Sequence, residues 1–364
     1  MTGQTIVVIG AGSVGANVAY RLAQRGARVT VVEAGAPGGG TSSASFAWTN
    51  AFTKGPVGYH ALNTASMSEH LAIVDELGGG AWHQQHGGIH WRDTPEAQAE
   101  LRATAERALG WGYPVEVISP RAARALEPDL DIPDEVGEVF FTPSEGYVEM
   151  VPFIGALLAG ARSHGATILT HEAVIGIIRE GTRVVGVETS RGNRLLADVV
   201  VDCAGPTMDK VAKLAGVEIP FDGVPGRLIY TSPIATTLKR TVYAPNGHFR
   251  PDGGGRIVLS HGEHDHDIDA SKESRDAEIS LAAIAEHLPA LQGARVEAVR
   301  VGVRPMPRDK YPMVGTVPGL DGFYVVVSHS AVTLGPLWGK IAAAELLDGT
   351  LDARLEPYRP ARFL

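Results

Sequence analysis

The sequence predicts an α/β protein in which a nucleotide-binding domain is interrupted by a second, α+β domain built on an antiparallel sheet. Three observations predict it. Residues 5–33 read as a complete strand, glycine turn, helix and strand. Apolar strands and helices return over 153–202 and again over 322–347. The stretches between differ in texture, rich in Trp, Pro and charge near 85–145 and in amphipathic strands over 223–302. A chain of 364 residues has room for about two domains. The nucleotide-binding domain is expected over 1–84, 146–222 and 303–364, and the substrate-binding domain over 85–145 and 223–302.

Taken in order, residues 5–9 (TIVVI) are wholly apolar, the pattern of a strand covered on both faces. The turn 10–15 (GAGSVG) follows at once. Over 16–25, Val18, Ala19 and Leu22 fall at helical spacing, and Gly26 stops the helix. Residues 28–33 (RVTVVE) form the next strand. Later, 153–164 reads as a helix ended by Gly165, 167–170 as a strand, and 173–179 with 184–189 as a hairpin turning at Gly181. An apolar strand covers 199–202 and another 322–327 (GFYVVV); a loop then leads to a helix over 338–347, stopped by Gly349. In the second domain, 228–232 and 257–261 read as strands and 276–287 as a helix.

Composition narrows the function. Hydrophobic residues at 44% and charged residues at 20% are globular proportions. A net charge of −9 offers no basic footprint for nucleic acid. The single Cys203 excludes an internal disulfide and fits a reducing compartment. No basic leader opens the chain, and no apolar run approaches the roughly 20 residues that span a bilayer, so a cytoplasmic enzyme without a membrane span is expected. Nothing in the sequence sets an oligomeric state.

Gly10, Gly12 and Gly15 stand as G-x-G-x-x-G between a strand and a helix, the context in which that spacing binds a dinucleotide. The first glycine permits the tight turn, the second brings backbone close to a pyrophosphate, and the third allows helix to pack on strand. Amide groups at the helix start favour the phosphates. Glu33 closes the second strand, where a carboxylate accepts hydrogen bonds from a ribose diol. This loop serves NAD and FAD alike. A second glycine-rich stretch, 38–43 (GGGTSS), offers backbone amides and the hydroxyls of Thr41, Ser42 and Ser43 to a pyrophosphate; the other reading is a solvated linker.

Together these segments resemble the FAD-dependent amine and amino-acid oxidases, the D-amino-acid oxidase superfamily that includes glycine oxidase and sarcosine oxidase. The resemblance runs in order through GAGSVG with Glu33, 38–48 (GGGTSSASFAW), 144–153 (SEGYVEMVPF), 199–209 (VVVDCAGPTMD), 302–315 (GVRPMPRDKYPMVG) and 328–336 (SHSAVTLGP). It implies a Rossmann-like FAD-binding domain with the flavin extended to the domain boundary. Gly10, Gly12, Ser13, Val14 and Gly15 would meet the pyrophosphate, Glu33 the adenosine ribose with Ala34 beside it, and Thr41, Ser42 and Ser43 the phosphates. Val174 would meet adenine through its backbone, and Ala204–Gly205 would pass beneath the cofactor. The loop 328–335 would lie at the pyrimidine side of the ring, with His329, Ser330, Val332, Thr333 and Leu334 in the cofactor set and His329 acting through backbone geometry. Ala331 stands where relatives carry glycine, a larger side chain on the approach to the ring. The sarcosine-oxidase type attaches flavin through a C-terminal-region cysteine; none occurs here, so non-covalent FAD is implied. Cys203 reads as a small core residue.

For the substrate, Arg304 in Gly-Val-Arg-Pro matches the arginine that pairs with the substrate carboxylate in amino-acid-oxidising members, a task suited to a planar, permanently charged fork. His248, three residues before Pro251, stands where glycine oxidases place a carboxylate-binding tyrosine; a structural histidine is the other reading. Tyr230 completes the catalytic candidates, with core packing as its alternative. Lys54 is expected to be solvated. Aromatics at 6% suggest no aromatic cage. The run 261–267 (HGEHDHD) carries metal-ligand types without a standard spacing, and no metal is expected. The implied reaction is oxidation of the C–N bond of a small amino acid or N-substituted glycine. Hydride passes to flavin N5, the imine hydrolyses to a 2-oxo acid and an amine, and oxygen becomes hydrogen peroxide. The alternatives are a D-amino-acid or imino-acid dehydrogenase serving a quinone or other carrier, a NAD-dependent dehydrogenase, and a nucleotide-binding sensor.

Overall fold

The computed structural model describes residues 3–261 and 273–363 of the chain. Its larger sheet runs in the order Val174–Glu180, Arg183–Thr189, Leu320–Val327, Val199–Asp202, Thr5–Ile9, Arg28–Val32 and Thr167–Leu169. From Leu320–Val327 onward every neighbour is parallel. The all-apolar first strand is explained by its place in the middle. Ile6 and Val8 pack with residues of helices Ser13–Gln24, Met150–Ser163 and Ala331–Asp348, while Val7 and Ile9 pack on the other face with Met208 and Val211. The glycine turn and Cys203–Gly205 therefore leave neighbouring strands at the same sheet edge, where open parallel sheets bind ligands.

The second sheet has the order Val296–Pro307, Phe221–Thr231, Arg256–Ser260, Gly247–Asp252, Thr241–Ala244, Gly88–His90, Val139–Thr142 and Glu116–Ile118. All its pairs are antiparallel except Thr241–Ala244 with Gly88–His90. Ala277, Leu281 and Ile284 of helix Glu273–Ala285 join its core. A small third sheet sets Trp48–Thr49 and His83–Gln84 on either side of Gly146–Val148. The domain limits expected at 222/223 and 302/303 fall inside two strands that pair with each other from Phe221↔Pro307 to Thr231↔Val296.

Two departures from the sequence reading have physical causes. The C-terminal helix begins at Ala331 rather than 338, so most of the expected 328–335 loop is its first turns. Pro336 lies inside it and cannot donate to the Val332 carbonyl. His70 Nε2 donates to that carbonyl instead, at 2.9 Å, so the proline is accommodated by a side chain from another helix. That helix, Val57–Glu76, went unread because half of its buried face is polar: His60, Asn63, Ser66 and His70 alternate with Tyr59, Leu62, Met67 and Ile73. The candidate metal run lies outside the described residues except for His261, and among the described residues no cluster of three or more metal-ligating side chains occurs. No helix among them is long and apolar enough to cross a membrane.

Candidate active site

A cavity of about 730 Å³ lies between the two large sheets, within the roughly 300–1,000 Å³ usual for ligand and cofactor sites. At one end are Gly10, Gly12, Ser13, Val14 and Glu33; at the other are Arg304, His248, Tyr243 and Arg92. Thr41, Ser42, Ala204, Gly205, His329, Ser330, Val332 and Thr333 also line it, so most of the expected residues converge.

At the first end, Glu33 is held by backbone: Ala11 N–H donates to Oε2 at 2.7 Å and Gly35 N–H to Oε1 at 2.8 Å. The glycine turn depends on contact. A Cβ at Gly15 would lie 1.9 Å from the Gly10 carbonyl oxygen, and Gly10 itself has φ +97°. Asp202 shapes the neighbouring turn by accepting from Ala204 N–H at 3.0 Å, and burial pushes its carboxyl pKa well up. Helices Ser13–Gln24 and Ala331–Asp348 both begin at the cavity without a side-chain cap.

The C-terminal helix is moored at its start. Tyr59 Oη donates to Ser330 Oγ at 2.8 Å, Thr333 Oγ1 donates to the Trp48 carbonyl at 3.1 Å, and Asn50 N–H donates to Thr333 Oγ1 at 3.2 Å. Behind the wall, fully buried Glu145 accepts from the amides of Ala51 and Phe52, from Tyr113 Oη and from Thr142 Oγ1, at 2.9–3.1 Å. Its Oε2 lies 3.7 Å from His90 Nε2.

The second end is aromatic. Tyr243 stacks on His248 at 4.9 Å and 9° and on His90 at 5.2 Å and 23°. Trp48 lies 4.1 Å from Tyr243, and Phe46 meets His248 edge-on at 4.4 Å. Between Phe46 and Trp48, Ala47 takes φ 57°, a left-handed conformation that brings both neighbours to the Tyr243 ring. Arg304 sits beside Gly226, where a Cβ would lie 2.4 Å from Arg304 Nη2. His248 is half-buried and His329 exposed, and both line the cavity. Burial, then Arg304 and Arg92, pushes the His248 pKa down to about 3. Burial, then Lys54 and Arg304, pushes His329 down to about 4. Both rings are therefore neutral near pH 7.

Six expected residues stand apart from this cavity. Gly15 serves helix packing, and Leu334 is fully buried in the core. Ala34 is exposed, and Val174 lies on a half-buried strand of the larger sheet. Ser43 and Tyr230 face a neighbouring cavity of about 520 Å³ with Arg250 and Arg300. Tyr230 Oη reaches the Ser43 carbonyl at 3.5 Å and its ring lies under Arg300, so its surroundings are not those of Arg304 and His248. Lys54, expected in solvent, is half-buried on the main cavity; burial pushes its pKa down against the opposing charge of Glu145. Arg92, His90, Tyr243 and Trp48 were not read from the sequence. Strand pairing assembles Tyr243 between His90 and His248, a juxtaposition with no local signal.

The cavity fits an extended flavin dinucleotide. Three buried polar atoms that have no hydrogen-bond partner among the described residues, Trp48 Nε1, Asn50 Nδ2 and Ser328 Oγ, belong to residues that line it. They and the two uncapped helix starts offer donors to a phosphate-bearing, hydrogen-bonding ligand, while Glu33 offers acceptors.

Comparison with known proteins agrees. Residues 5–345 match the family described as FAD dependent oxidoreductase. A glycine oxidase of Pseudomonas aeruginosa is 28% identical over 374 residues, covering 98% of this chain and 99% of the relative. The crystal structure of glycine oxidase from Geobacillus kaustophilus superposes with a TM-score of 0.86 at 25% identity, over 99% of this chain and 100% of that one. L-proline dehydrogenase from P. horikoshii shares the fold with a TM-score of 0.88 at 22% identity, over 99% and 98% of the two chains. The protein belongs to the FAD-dependent oxidoreductase family, glycine oxidase-like in sequence and fold, with FAD as its cofactor.

Proposed function

We propose that the protein oxidises the C–N bond of a small amino acid or N-substituted glycine, with oxygen as the final acceptor. The observation that carries this reading is Arg304, a guanidinium given room by Gly226 at the aromatic end of a cavity whose other end suits a dinucleotide. Glycine oxidases related over nearly the whole chain support the substrate class and the choice of oxygen.

FAD, held without a covalent bond by Gly10, Gly12, Ser13, Val14, Glu33, Thr41, Ser42, Ala204, Gly205 and the start of the C-terminal helix, supplies the hydride-accepting chemistry. The remaining work is positioning. Arg304 grips the substrate carboxylate in a bidentate pair and so orients the Cα–H. Neutral His248 donates one N–H toward the bound substrate without adding charge. Trp48, Tyr243 and Phe46 exclude water, which strengthens the Arg304–carboxylate pair. In balance, amino acid, oxygen and water give 2-oxo acid, amine and hydrogen peroxide.

The test is anaerobic titration of the yellow holoprotein with glycine, sarcosine, longer N-alkylglycines and D-amino acids. Bleaching by one of them is expected, with peroxide on readmitting air; bleaching without peroxide would make the enzyme a dehydrogenase. Arg304→Ala should raise KM roughly 30-fold or more while flavin stays bound, the scale of loss when one partner of a buried charge pair is truncated. An ordinary KM in that variant would remove Arg304 from the site.

A further inference from the structure

The substrate end of the cavity carries more positive charge than one carboxylate needs. Lys54, Arg92 and Arg304 all line it, and among the described residues Glu33, at the far end, is the only carboxylate that does. Arg227, also on the wall, is paired with Asp276 at 3.3 Å. Arg92 and Lys54 have no ion pair among the described residues. Arg92 is half-buried, and its Nη1 donates to the carbonyls of Trp91 at 2.6 Å and Tyr243 at 3.1 Å. Those two bonds anchor the guanidinium beside the Tyr243–His248 stack and leave Nε and Nη2 without a hydrogen-bond partner among the described residues. Asp93, the nearest acidic neighbour in sequence, is exposed and does not line the cavity.

Arg92 and Arg304 thus come to the same aromatic wall from different strands and loops. Tyr243 pairs with His248 in register, and the charges of both arginines act on His248. Among the described residues no carboxylate lines this end of the cavity, so Arg92 there is complementary to a second negative group on a ligand whose first is held by Arg304.

We propose that Arg92 forms a second carboxylate subsite, so that the preferred substrate is an amino acid carrying two carboxylates, one on Arg304 and one on Arg92. This rests on the amino-acid reading of the cavity and names its substrate class. Arg92 is a specificity-determining residue here: it holds the distal carboxylate through its open Nε–Nη2 edge, while Tyr243 and Trp48 pack the connecting methylenes.

The test uses two ligands that contain no nitrogen and are not oxidised: thiodiacetate, a dianion, and (methylthio)acetate, a monoanion. Binding to the FAD-loaded protein is followed by titration calorimetry and by the flavin difference spectrum. Thiodiacetate is expected to bind about tenfold tighter or more, the scale of one charge-assisted contact. Arg92→Met should abolish the advantage, and Arg92→Lys, which keeps the charge without the fork, should restore part of it. Equal affinities in the unaltered protein would overturn the subsite whether or not the variants fold. A dianion advantage that survives Arg92→Met would overturn the role of Arg92. Because neither probe reports on turnover, failure of amine oxidation in the bleaching experiment and failure of the subsite in this one are read separately.

Discussion

Gly15 has a carbonyl where any other residue has a side chain. With a Cβ 1.9 Å from the Gly10 carbonyl oxygen, Gly15→Ala must push the first helix off the turn that presents Gly12 and Ser13 to the cavity. Expected is a folded protein that has lost most of its flavin, read from the visible flavin absorbance relative to protein absorbance; full yellow colour would exclude the turn from cofactor binding. Glu145 is the opposite case, a side chain with more donors than it can lose. Truncation to alanine would leave the Ala51 and Phe52 amides without this acceptor and would return the Thr142 and Tyr113 hydroxyls to the Gly88 carbonyl and Met67 Sδ, so Glu145→Ala should cost about 3 kcal/mol in urea unfolding, at roughly 1–3 kcal/mol per stranded amide. His248 is a matter of charge state. Held to about 3, it stays neutral through the working range, so His248→Gln should leave the pH profile of kcat/KM without a lost limb near 6.5. A limb that disappears with the imidazole would show that it titrates in turnover.

The C-terminal helix and Val57–Glu76 act as a pair, and the residue joining them is His70. Its Nε2–H occupies the Val332 carbonyl that Pro336 leaves free, and its Nδ1 has no hydrogen-bond partner among the described residues. His70→Leu strands that buried carbonyl and should destabilise the protein by about 1–3 kcal/mol. A pH signature accompanies it. Burial, then the charge of His83, pushes His70 from its ordinary 6.5 down to about 3. Between those values the unfolded chain binds a proton that the folded one refuses. The contribution is therefore full above about 6.5 and is lost as pH falls toward 3, at about 1.4 kcal/mol per pH unit. Urea midpoints from about pH 6.5 to about 4.5 should fall less steeply in His70→Leu than in the parent; equal slopes would exclude this proton.

At the scale of the molecule, the main cavity draws its walls from both large sheets, so a cofactor seated there would bridge them and bind the folded state alone. Stripping FAD should lower Tm, and returning it at about 100 times its Kd should recover roughly 2.7 kcal/mol; an unchanged Tm would mean that the cavity does not hold it. Read alone, the chain declares its local structure. Strand, glycine turn and helix at residues 5–25 are legible because Gly10, Gly12 and Gly15 act within one turn, and the apolar runs 199–202 and 322–327 declare themselves buried by composition. Arg304 was a candidate through its neighbours Gly302 and Pro305, and the structure sets it on the cavity wall. The C-terminal helix start was not, since Pro336 reads as a break unless His70, distant in sequence, is known to take up the freed carbonyl. Nor was the substrate wall. Arg92, Tyr243 and His248 belong to segments some 150 residues apart, joined by the parallel pairing of Gly88–His90 with Thr241–Ala244. Spacing along a chain specifies what one turn or one strand does; which strands lie side by side, and so which charges share a cavity, is decided only when the sheet closes.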